Sequence, residues 1–368
     1  MPISTLIDPL RIFSGSRLNH PVYLIYFITS QCMGRCKHCF YWDHINQQES
    51  PLTVEEVDKI ASSMGRIYQL ILTGGEPFFR EDFTDLVERF YVHNKIYHLS
   101  VATSGYYPDR VEKAVKRLLE NCPKLKITIG LPIEGPAELN DEIRGVPGFY
   151  ERTVETFFRL KKLKEHAPNL NILVDMTISA FNSGRLVETY KHIFNELGPD
   201  LINAVLTRGN PRDPEAKQID IDEVTKLFSL MEKDIRNGRV KGYGFLSKLL
   251  HAKDIILRQT ALDIYKNNTY CLPCQAGRTA GVLMPAGDVY ACELWKKPIG
   301  NLRDFDYDFP ALWKSDNAFR IRDEILSTQC TCYHQCFLSN TLFWNLKTWP
   351  RMLGEWARIR RNKPLREP

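Results

Sequence analysis

Apolar, β-branched and aromatic residues gather in short runs along the first two thirds of the chain, and a segment with helical spacing follows each run. The runs show no clean alternation with polar residues, which is typical of strands buried in a parallel sheet. Six such runs stand at residues 22–28, 68–73, 98–103, 126–131, 172–178 and 201–206. Repeated strand–helix alternation predicts an α/β fold with a parallel sheet, either open and doubly wound or curled into a partial barrel.

The segments between the runs predict helices. Thr53-Val54-Glu55-Glu56 is a capping box ahead of apolar residues at helical spacing, so a helix is expected to begin there. Further helices are predicted over residues 82–93, 108–120, 149–165, 184–197, 221–236 and 245–265. A β-hairpin is predicted over residues 282–292, with its turn at residues 285–288.

Glycine and small polar residues follow the predicted strands. In parallel α/β folds, ligands bind at the carboxyl ends of the strands, so these residues are candidates for a binding rim. They are Gly74-Gly75-Glu76, Ser104-Gly105, Glu134-Gly135, Ser179 and Thr207-Arg208-Gly209-Asn210. The alternative is that strand-to-helix turns simply favour these residue types.

Three cysteines, Cys32, Cys36 and Cys39, stand directly after the first predicted strand. Thiolates at this spacing can hold three irons of a [4Fe–4S] cluster and leave the fourth iron open to another ligand. His38 lies between two of the cysteines and is poorly placed to complete a zinc tetrahedron. On spacing alone, an iron–sulfur cluster is favoured, while a zinc site and a disulfide pair stay open.

The composition indicates an ordinary globular chain in a reducing compartment. Hydrophobic residues make up 43% and charged residues 25% of the 368 residues, so a large domain with a smaller one is feasible. Of the ten cysteines, eight fall in three short-spaced groups, whereas Cys122 and Cys292 stand apart. Residues 1–19 contain no continuous apolar segment of a secretory signal. We therefore expect a cytoplasmic protein with reduced, metal-bound cysteines.

The positive charge is concentrated at one end of the chain. The formal net charge is +5, and residues 347–368 alone hold seven Lys or Arg against two Glu, which accounts for the whole excess. Nucleic-acid binding is therefore not expected. A short helix from Pro350 is predicted to place Met352, Leu353, Trp356 and Ile359 on one face, so contact of this tail with a membrane surface is one interpretation. Packing against the barrel or a partner is the other.

The cysteine motif resembles the signature of the radical S-adenosylmethionine (SAM) superfamily. Thr73-Gly74-Gly75-Glu76-Pro77, after the second strand, resembles the Gly-Gly-Glu motif of the same superfamily. This resemblance implies a partial (β/α)6 TIM-type barrel rather than an open sheet. It also implies an oxidoreductase that cleaves SAM at a [4Fe–4S] cluster to a 5′-deoxyadenosyl radical, which removes a hydrogen atom from substrate.

The resemblance also implies residues that bind SAM. Gly74 and Gly75 let the backbone approach closely, and Glu76 is expected to accept hydrogen bonds from the SAM ammonium or to cap the next helix. Adenine, ribose and carboxylate contacts are expected from four further residues, for each of which a purely structural role is the alternative. They are Phe40, Ser104, Arg144 and Ser179.

The later cysteines resemble the SPASM/twitch extension, which holds auxiliary [4Fe–4S] clusters. Six thiolates cannot fully ligate two four-iron clusters, so we expect one complete auxiliary cluster, with two incomplete clusters or a zinc ribbon as alternatives. Glu293 is the tentative general base that peptide-oxidising relatives place here. The candidate ligands are Cys274, Cys292, Cys330, Cys332 and Cys336, with Cys271 less certain.

The predicted organisation has four parts: an N-terminal extension (1–20), the radical SAM barrel (21–237), a small cysteine-rich α+β auxiliary-cluster domain (238–340) and a basic, tryptophan-containing tail (341–368). The function favoured is peptide or protein modification. Alternatives are dehydrogenation or epimerisation of a small or lipid-linked sugar or aminocyclitol, and a zinc-binding module on a degenerate barrel. Flavodoxin or ferredoxin is the expected reductant. The short segment before the first strand mildly favours a small or lipid-linked substrate, or a separate recognition protein.

Overall fold

A single nine-stranded sheet forms the centre of the computed structural model, which describes residues 18–241 and 247–359. The strand order across the sheet is β6-β5-β4-β3-β2-β1-β7-β8-β9. The strands are β1 Tyr23–Thr29, β2 Gln69–Gly74, β3 His98–Ala102, β4 Lys126–Pro132, β5 Leu170–Ile178, β6 Leu201–Leu206, β7 Ala280–Leu283, β8 Asp288–Tyr290 and β9 Gly300–Asn301.

The first six strands pair in chain order, and every pair is parallel. Each predicted strand therefore exists, with ends displaced by at most two residues. Strands β1 and β4 are buried along nearly their whole length, because helices cover the outer face of the sheet. Sequential parallel strands joined by helices confirm the α/β partial barrel, which stays open at the outer edge of β6.

The predicted hairpin extends the same sheet. Strand β7 pairs in parallel with β1, from Tyr23 opposite Ala280 to Tyr26 opposite Leu283. Strand β8 then returns antiparallel to β7, and β9 closes this edge. The turn contains Gly287 at φ +96°, a conformation that L side chains rarely adopt. Main-chain hydrogen bonds thus tie the cysteine-rich segment to the first barrel strand.

Helices cover the outer face of the sheet. They are α1 Val54–Ser63, α2 Phe83–Asn94, α3 Pro108–Asn121, α4 Ala137–Arg144, α5 Phe149–Lys164, α6 Leu186–His192, α7 Ile221–Arg236, α8 Ser247–Asn267, α9 Phe309–Trp313, α10 Asp316–Ser327, α11 Gln335–Phe343 and α12 Trp349–Arg358.

The predicted helices are confirmed, although one of them ends in a π-helical turn and four further helices were not predicted. The Thr53 capping box is present at the start of α1. The segment predicted as one helix over 184–197 is α6 followed by a π-helical turn, Ile193–Leu197. Sequence reasoning missed α4, α9, α10 and α11. Three of these helices are short, whereas α10 spans twelve residues and has a Ser315 cap that the sequence offers as a signal.

The tail helix corrects one prediction. Helix α12 buries Met352 and Ile359 as expected, but Leu353 and Trp356 remain exposed. Glu355 takes the buried position instead, because its carboxylate accepts a hydrogen bond from Arg236 Nε at 3.0 Å. The helix is therefore rotated so that part of its apolar face points to solvent.

Some predictions fall outside the described residues. These are most of the N-terminal extension (1–17), the first two residues of the helix predicted over 245–265, and the basic residues from Arg360 onward. Within the ranges that are described, no helix combines the length and apolar character needed to cross a membrane.

Candidate functional site: a cysteine loop at the mouth of the barrel

The first cysteine loop begins at the carboxyl end of β1, and backbone hydrogen bonds join it to the turn after β2. Gly75 N donates to Thr29 O, and Glu76 N donates to Gln31 O, both at 2.7 Å. A Cβ on Gly74 would lie 2.3 Å from Thr29 O, and one on Gly75 would lie 2.1 Å from Gln31 O. Both glycines are therefore required for the turn to pack on the segment that leads into Cys32. The close backbone approach predicted for them occurs within the chain itself.

Cys32 and Cys36 surround Gly34. An ideal Cβ on Gly34 would lie 3.5 Å from Cys32 Sγ and 3.4 Å from Cys36 Sγ, so both sulfurs lie beside this glycine. Burial raises the pKa of the Cys32 and Cys39 thiols to about 12 and about 11 in the metal-free chain. Thiolate formation at these positions therefore needs a cation to stabilise it, as metal ligation provides.

Backbone amides stabilise the cysteine sulfurs in a repeated pattern. The N–H of the residue two positions further along donates to the sulfur of four cysteines. Tyr41 N–H makes the same contact with Cys39, and this contact offsets part of the rise that burial causes in the pKa of Cys39. Hydrogen bonds of this kind favour thiolates and tune iron–sulfur clusters. The four pairs are Gly34 to Cys32, Ala276 to Cys274, Leu294 to Cys292 and His334 to Cys332.

Four later cysteines are brought into one group. Cys292 interacts electrostatically with Cys274 and Cys330, and the thiols of Cys330 and Cys332 are hydrogen-bonded to each other. This group, Cys274, Cys292, Cys330 and Cys332, is a complete thiolate set for one four-iron cluster.

The other two cysteines lie outside this group. Cys271 is exposed, and its neighbours Arg351 and Asp263 are not cysteines. Cys336 instead accepts a hydrogen bond from the hydroxyl of Tyr23 at the start of β1.

Across residues 18–241 and 247–359, no three His, Cys, Asp or Glu side chains are close enough to share one metal ion. In a four-iron cluster each thiolate binds a different iron atom, so its ligands need not be that close. The residues present therefore fit the proposed clusters by their donor type, by the position of two sulfurs beside Gly34 and by the amide hydrogen bonds to sulfur.

Glu76 is buried, and its carboxylate is fully used within the chain. It accepts hydrogen bonds from Phe78 N at 3.1 Å, Thr103 Oγ1 at 2.6 Å and Ser104 N at 2.7 Å, and also from the Ser104 hydroxyl. A carboxylate has about four lone-pair positions, so all of them are engaged. The capping alternative is present, since Glu76 caps the 3-10 turn Pro77–Phe79. A direct contact with the SAM ammonium stays a prediction.

Arg144, at the end of α4, is largely buried and paired within the chain. Its Nε donates to Glu134 Oε2 at 2.8 Å, its Nη2 donates to Glu134 Oε1, and its Nη1 lies 3.6 Å from Cys36 Sγ. Glu134 is completely buried. The cysteine loop is also held by Arg35 N and Lys37 N, which donate to the last carbonyls of α4. The pair thus places a fixed positive charge beside the candidate cluster, and the SAM carboxylate contact stays a prediction.

Removing one partner of this buried pair should destabilise the fold. Glu134→Gln leaves the Arg144 charge buried without a counter-charge, and we expect a loss of about 3–5 kcal/mol in the free energy of unfolding, measured by anaerobic urea titration. Arg152→Gln is the matched control, because Arg152 and Glu155 form an exposed ion pair. That change should stay within about 0.5 kcal/mol. A loss below about 1 kcal/mol for Glu134→Gln would contradict the structural role of the pair.

Arg208 contacts a residue next to Cys39 of the first cysteine loop and a residue next to Cys292 of the later cysteine group. Its guanidinium stacks over the Phe40 ring with 4.3 Å between its carbon and the ring centroid, and Nη2 lies 3.4 Å from Glu293 Oε2. Phe40 is half-buried and also contacts the position where a Gly209 Cβ would stand. The adenine contact of Phe40 therefore stays a prediction, beside an observed role in holding Arg208.

Glu293 is buried between two cationic or hydrogen-bonding partners. Its Oε2 lies 2.5 Å from His334 Nε2 in addition to the contact with Arg208. Burial opposes ionisation of the carboxyl group, but His334 and Arg208 outweigh it and lower the pKa of Glu293 to about 2. A carboxylate held in this way is ionised at neutral pH, and the general-base role of Glu293 stays a prediction.

Ser104 and Ser179 stabilise turns at the barrel mouth. The Ser104 carbonyl accepts from Thr153 Oγ1 at 2.9 Å, in addition to the two hydrogen bonds that Ser104 donates to Glu76. Ser179 is completely buried, and its amide donates to Asn182 Oδ1 at 2.8 Å. A ribose contact would require Ser179 to leave this buried position, so its observed role is to cap the turn. The proposed SAM contacts of both serines stay predictions.

Asp175 is a carboxylate in the barrel that sequence reasoning missed. It stands on β5 opposite Asn203 of β6, and Asn203 Nδ2 donates to Asp175 Oδ1 at 3.1 Å. A Cβ on Gly130 would lie 2.6 Å from Asp175 Oδ2, so the glycine makes room for this side chain. Burial raises the pKa of Asp175 to about 6. The signal in the sequence was a lone Asp inside an apolar strand.

The raised pKa predicts a pH dependence of stability. The folded chain binds more protons than the unfolded chain between about pH 4 and pH 6, so this contribution to stability is lost as the pH rises through that window. Asp175→Asn removes the titration. Relative to that variant, the native chain should lose about 3 kcal/mol of unfolding free energy between about pH 4 and pH 7. Urea titrations across this range test it, and a constant difference would contradict the raised pKa of Asp175.

Comparison with known proteins agrees with this geometry. A model of the radical SAM superfamily matches residues 26–177 of the chain, which span β1 to β5 and contain both the cysteine motif and the Gly74-Gly75-Glu76 turn. The chain is 24% identical over 332 residues to the AdoMet-dependent heme synthase of Methanosarcina barkeri (strain Fusaro / DSM 804). That match covers 85% of this chain and 88% of the relative.

Two solved structures share the fold. Polyhistidine-tagged anSMEcpe with bound AdoMet matches with a TM-score of 0.62 and 18% identity, over 92% of this chain and 96% of that one. Streptococcus suis SuiB bound to the precursor peptide SuiA matches with a TM-score of 0.57 and 15% identity, over 86% of this chain and 69% of that one. The barrel, the cysteine loop and the family match agree: residues 26–177 form a radical SAM domain, of the superfamily that uses a [4Fe–4S] cluster and S-adenosylmethionine, and the chain is an enzyme.

Proposed function

We propose that the chain removes a hydrogen atom from a peptide or protein substrate by radical SAM chemistry. A cluster bound by Cys32, Cys36 and Cys39 would supply the electron that cleaves SAM to a 5′-deoxyadenosyl radical. The observation that carries this proposal is the arrangement of Cys32 and Cys36 around Gly34, at the carboxyl end of β1. Ligands in parallel barrels bind at this end.

An auxiliary [4Fe–4S] cluster is proposed at Cys274, Cys292, Cys330 and Cys332. This proposal is supported by the amide hydrogen bonds that three of these sulfurs accept from the residue two positions on, and by the electrostatic interactions among the four thiols. Arg208 and Glu293 lie between this group and the first cysteine loop. Charged groups between two clusters influence the potentials of both.

The peptide substrate is supported by the fold shared with SuiB bound to SuiA. A second candidate is a substrate of the kind used by the relative named heme synthase, because that match extends over 85% of this chain. Sugars and aminocyclitols remain the alternative raised by the sequence. A flavodoxin or ferredoxin is the proposed reductant for each of them.

Two experiments test this proposal in order. Anaerobic reconstitution should give about eight irons per chain with matching sulfide, and reduction with SAM present should give 5′-deoxyadenosine. Zinc without sulfide, and no 5′-deoxyadenosine, would contradict the enzyme. Deuterated peptide, heme-precursor and sugar pools are then supplied separately. Deuterium should be transferred to 5′-deoxyadenosine from the peptide pool. If deuterium were transferred only from the heme-precursor pool or only from the sugar pool, the peptide substrate would be wrong and that pool would contain the substrate.

A further inference from the structure

An apolar strip on the C-terminal helix has no cover among the described residues. It consists of Leu353 and Trp356 on α12, together with Leu346 in the 3-10 turn before the helix; these residues are 51%, 45% and 59% exposed. The opposite side of α12 is occupied, since Met352 packs with Leu342 and Ile256 in one buried cluster. The helix is therefore anchored through its buried side, while the apolar strip faces solvent.

Basic side chains surround this strip. Lys248 lies over the Trp356 ring with 4.9 Å between its Nζ and the ring centroid, and Lys347 and Arg351 are exposed beside it. Within the described part of the chain, none of these three cations forms an ion pair. Arg351 has only a long hydrogen bond to Gln259 at 3.5 Å. Their charge is therefore available to a ligand from outside the chain.

The acidic residue of α12 does not offset this charge. Glu355 is buried, and it is already paired with Arg236 and Arg358 at 3.0 and 2.8 Å. Among the described residues, the three unpaired charges beside the strip, those of Lys248, Lys347 and Arg351, are therefore positive.

We propose that this surface binds the headgroup region of an anionic phospholipid bilayer. Tryptophan and leucine side chains partition to the boundary between headgroups and acyl chains, and flanking Lys and Arg attract anionic lipids at about 1 kcal/mol each. An acidic protein would match the charge, but an exposed Trp between basic residues is the arrangement typical of interfacial helices. The proposal is independent of the substrate of the enzyme.

Vesicle sedimentation of the full-length, reconstituted protein tests this proposal. We expect binding to vesicles of phosphatidylcholine and phosphatidylglycerol in equal parts, little binding to pure phosphatidylcholine, and weaker binding at high salt. The double variant L353E/W356E should lose affinity about tenfold or more, because it removes apolar area and adds negative charge.

Two controls distinguish specific binding through this surface from nonspecific hydrophobic adsorption and from misfolding of the variants. V92E/F158E changes two exposed apolar residues on α2 and α5, which are 68% and 49% exposed, and it should bind vesicles like the native chain. Formation of 5′-deoxyadenosine should be the same in all variants. Absence of binding to anionic vesicles would overturn the proposal. So would binding that survives L353E/W356E or that is lost only when residues 360–368 are deleted.

Discussion

Replacing Cys32, Cys36 and Cys39 with alanine is expected to remove about four irons per chain and to abolish formation of 5′-deoxyadenosine. These three residues are the only cysteines of the loop after β1. Without their thiolates, no iron at the barrel mouth can present a free coordination position to SAM. Iron and sulfide analysis after anaerobic reconstitution, together with chromatography of the reaction products, measures both effects.

Cys122→Ala is the matched control for that experiment. Cys122 is completely buried at the end of α3, away from both cysteine groups, and behaves as a small apolar residue. The variant should keep the full iron content and the activity. Retained SAM cleavage in the triple variant, or an equal iron loss in Cys122→Ala, would contradict the assignment of the loop.

Replacing Cys292 and Cys332 with alanine is expected to remove the other four irons, while SAM cleavage without substrate is retained. The two sulfurs belong to the group of four that the fold brings together, whereas the first cluster has its own ligands. Turnover of substrate should fall strongly, because the auxiliary cluster is proposed to transfer electrons or to bind substrate. Iron analysis and separate assays of cleavage and turnover measure the effect.

Cys271→Ala distinguishes this ligand set from its alternatives. Cys271 is exposed and neighbours Arg351 rather than the sulfur group, so the variant should keep about eight irons. Loss of four irons in Cys271→Ala would show that Cys271 is a ligand and that the group of four is wrong. Tightly bound zinc in place of iron would favour the ribbon alternative.

Much of the barrel was predictable because its strands are continuous apolar runs. All six runs are strands, and the cysteines and the Gly74-Gly75 turn follow β1 and β2 as expected. The cysteines and the glycine turn lie at the same edge of the sheet because the carboxyl ends of parallel strands all point to that edge. The hairpin was also predictable from its turn residues, although its parallel pairing with β1 was not, since that contact joins residues far apart in sequence.

The polar interior of the site was much less predictable. Glu134 and Arg144 are ten residues apart, and nothing local indicates that α4 returns the arginine to the glutamate beside Cys36. Asp175 meets Asn203 only through the register of β5 and β6. The orientation of α12 depends on Glu355 reaching Arg236 on a distant helix. Each of these features is set by long-range packing, which outweighs local spacing.

The most direct test of the central claim is pulsed electron–nuclear double resonance of the reduced protein with SAM labelled with ¹⁵N at its amino group. The account predicts a ¹⁵N coupling to the reduced cluster, present in C292A/C332A and absent in the Cys32/Cys36/Cys39 triple variant. A cluster that forms at Cys32, Cys36 and Cys39 but shows no ¹⁵N coupling would contradict an open iron for SAM.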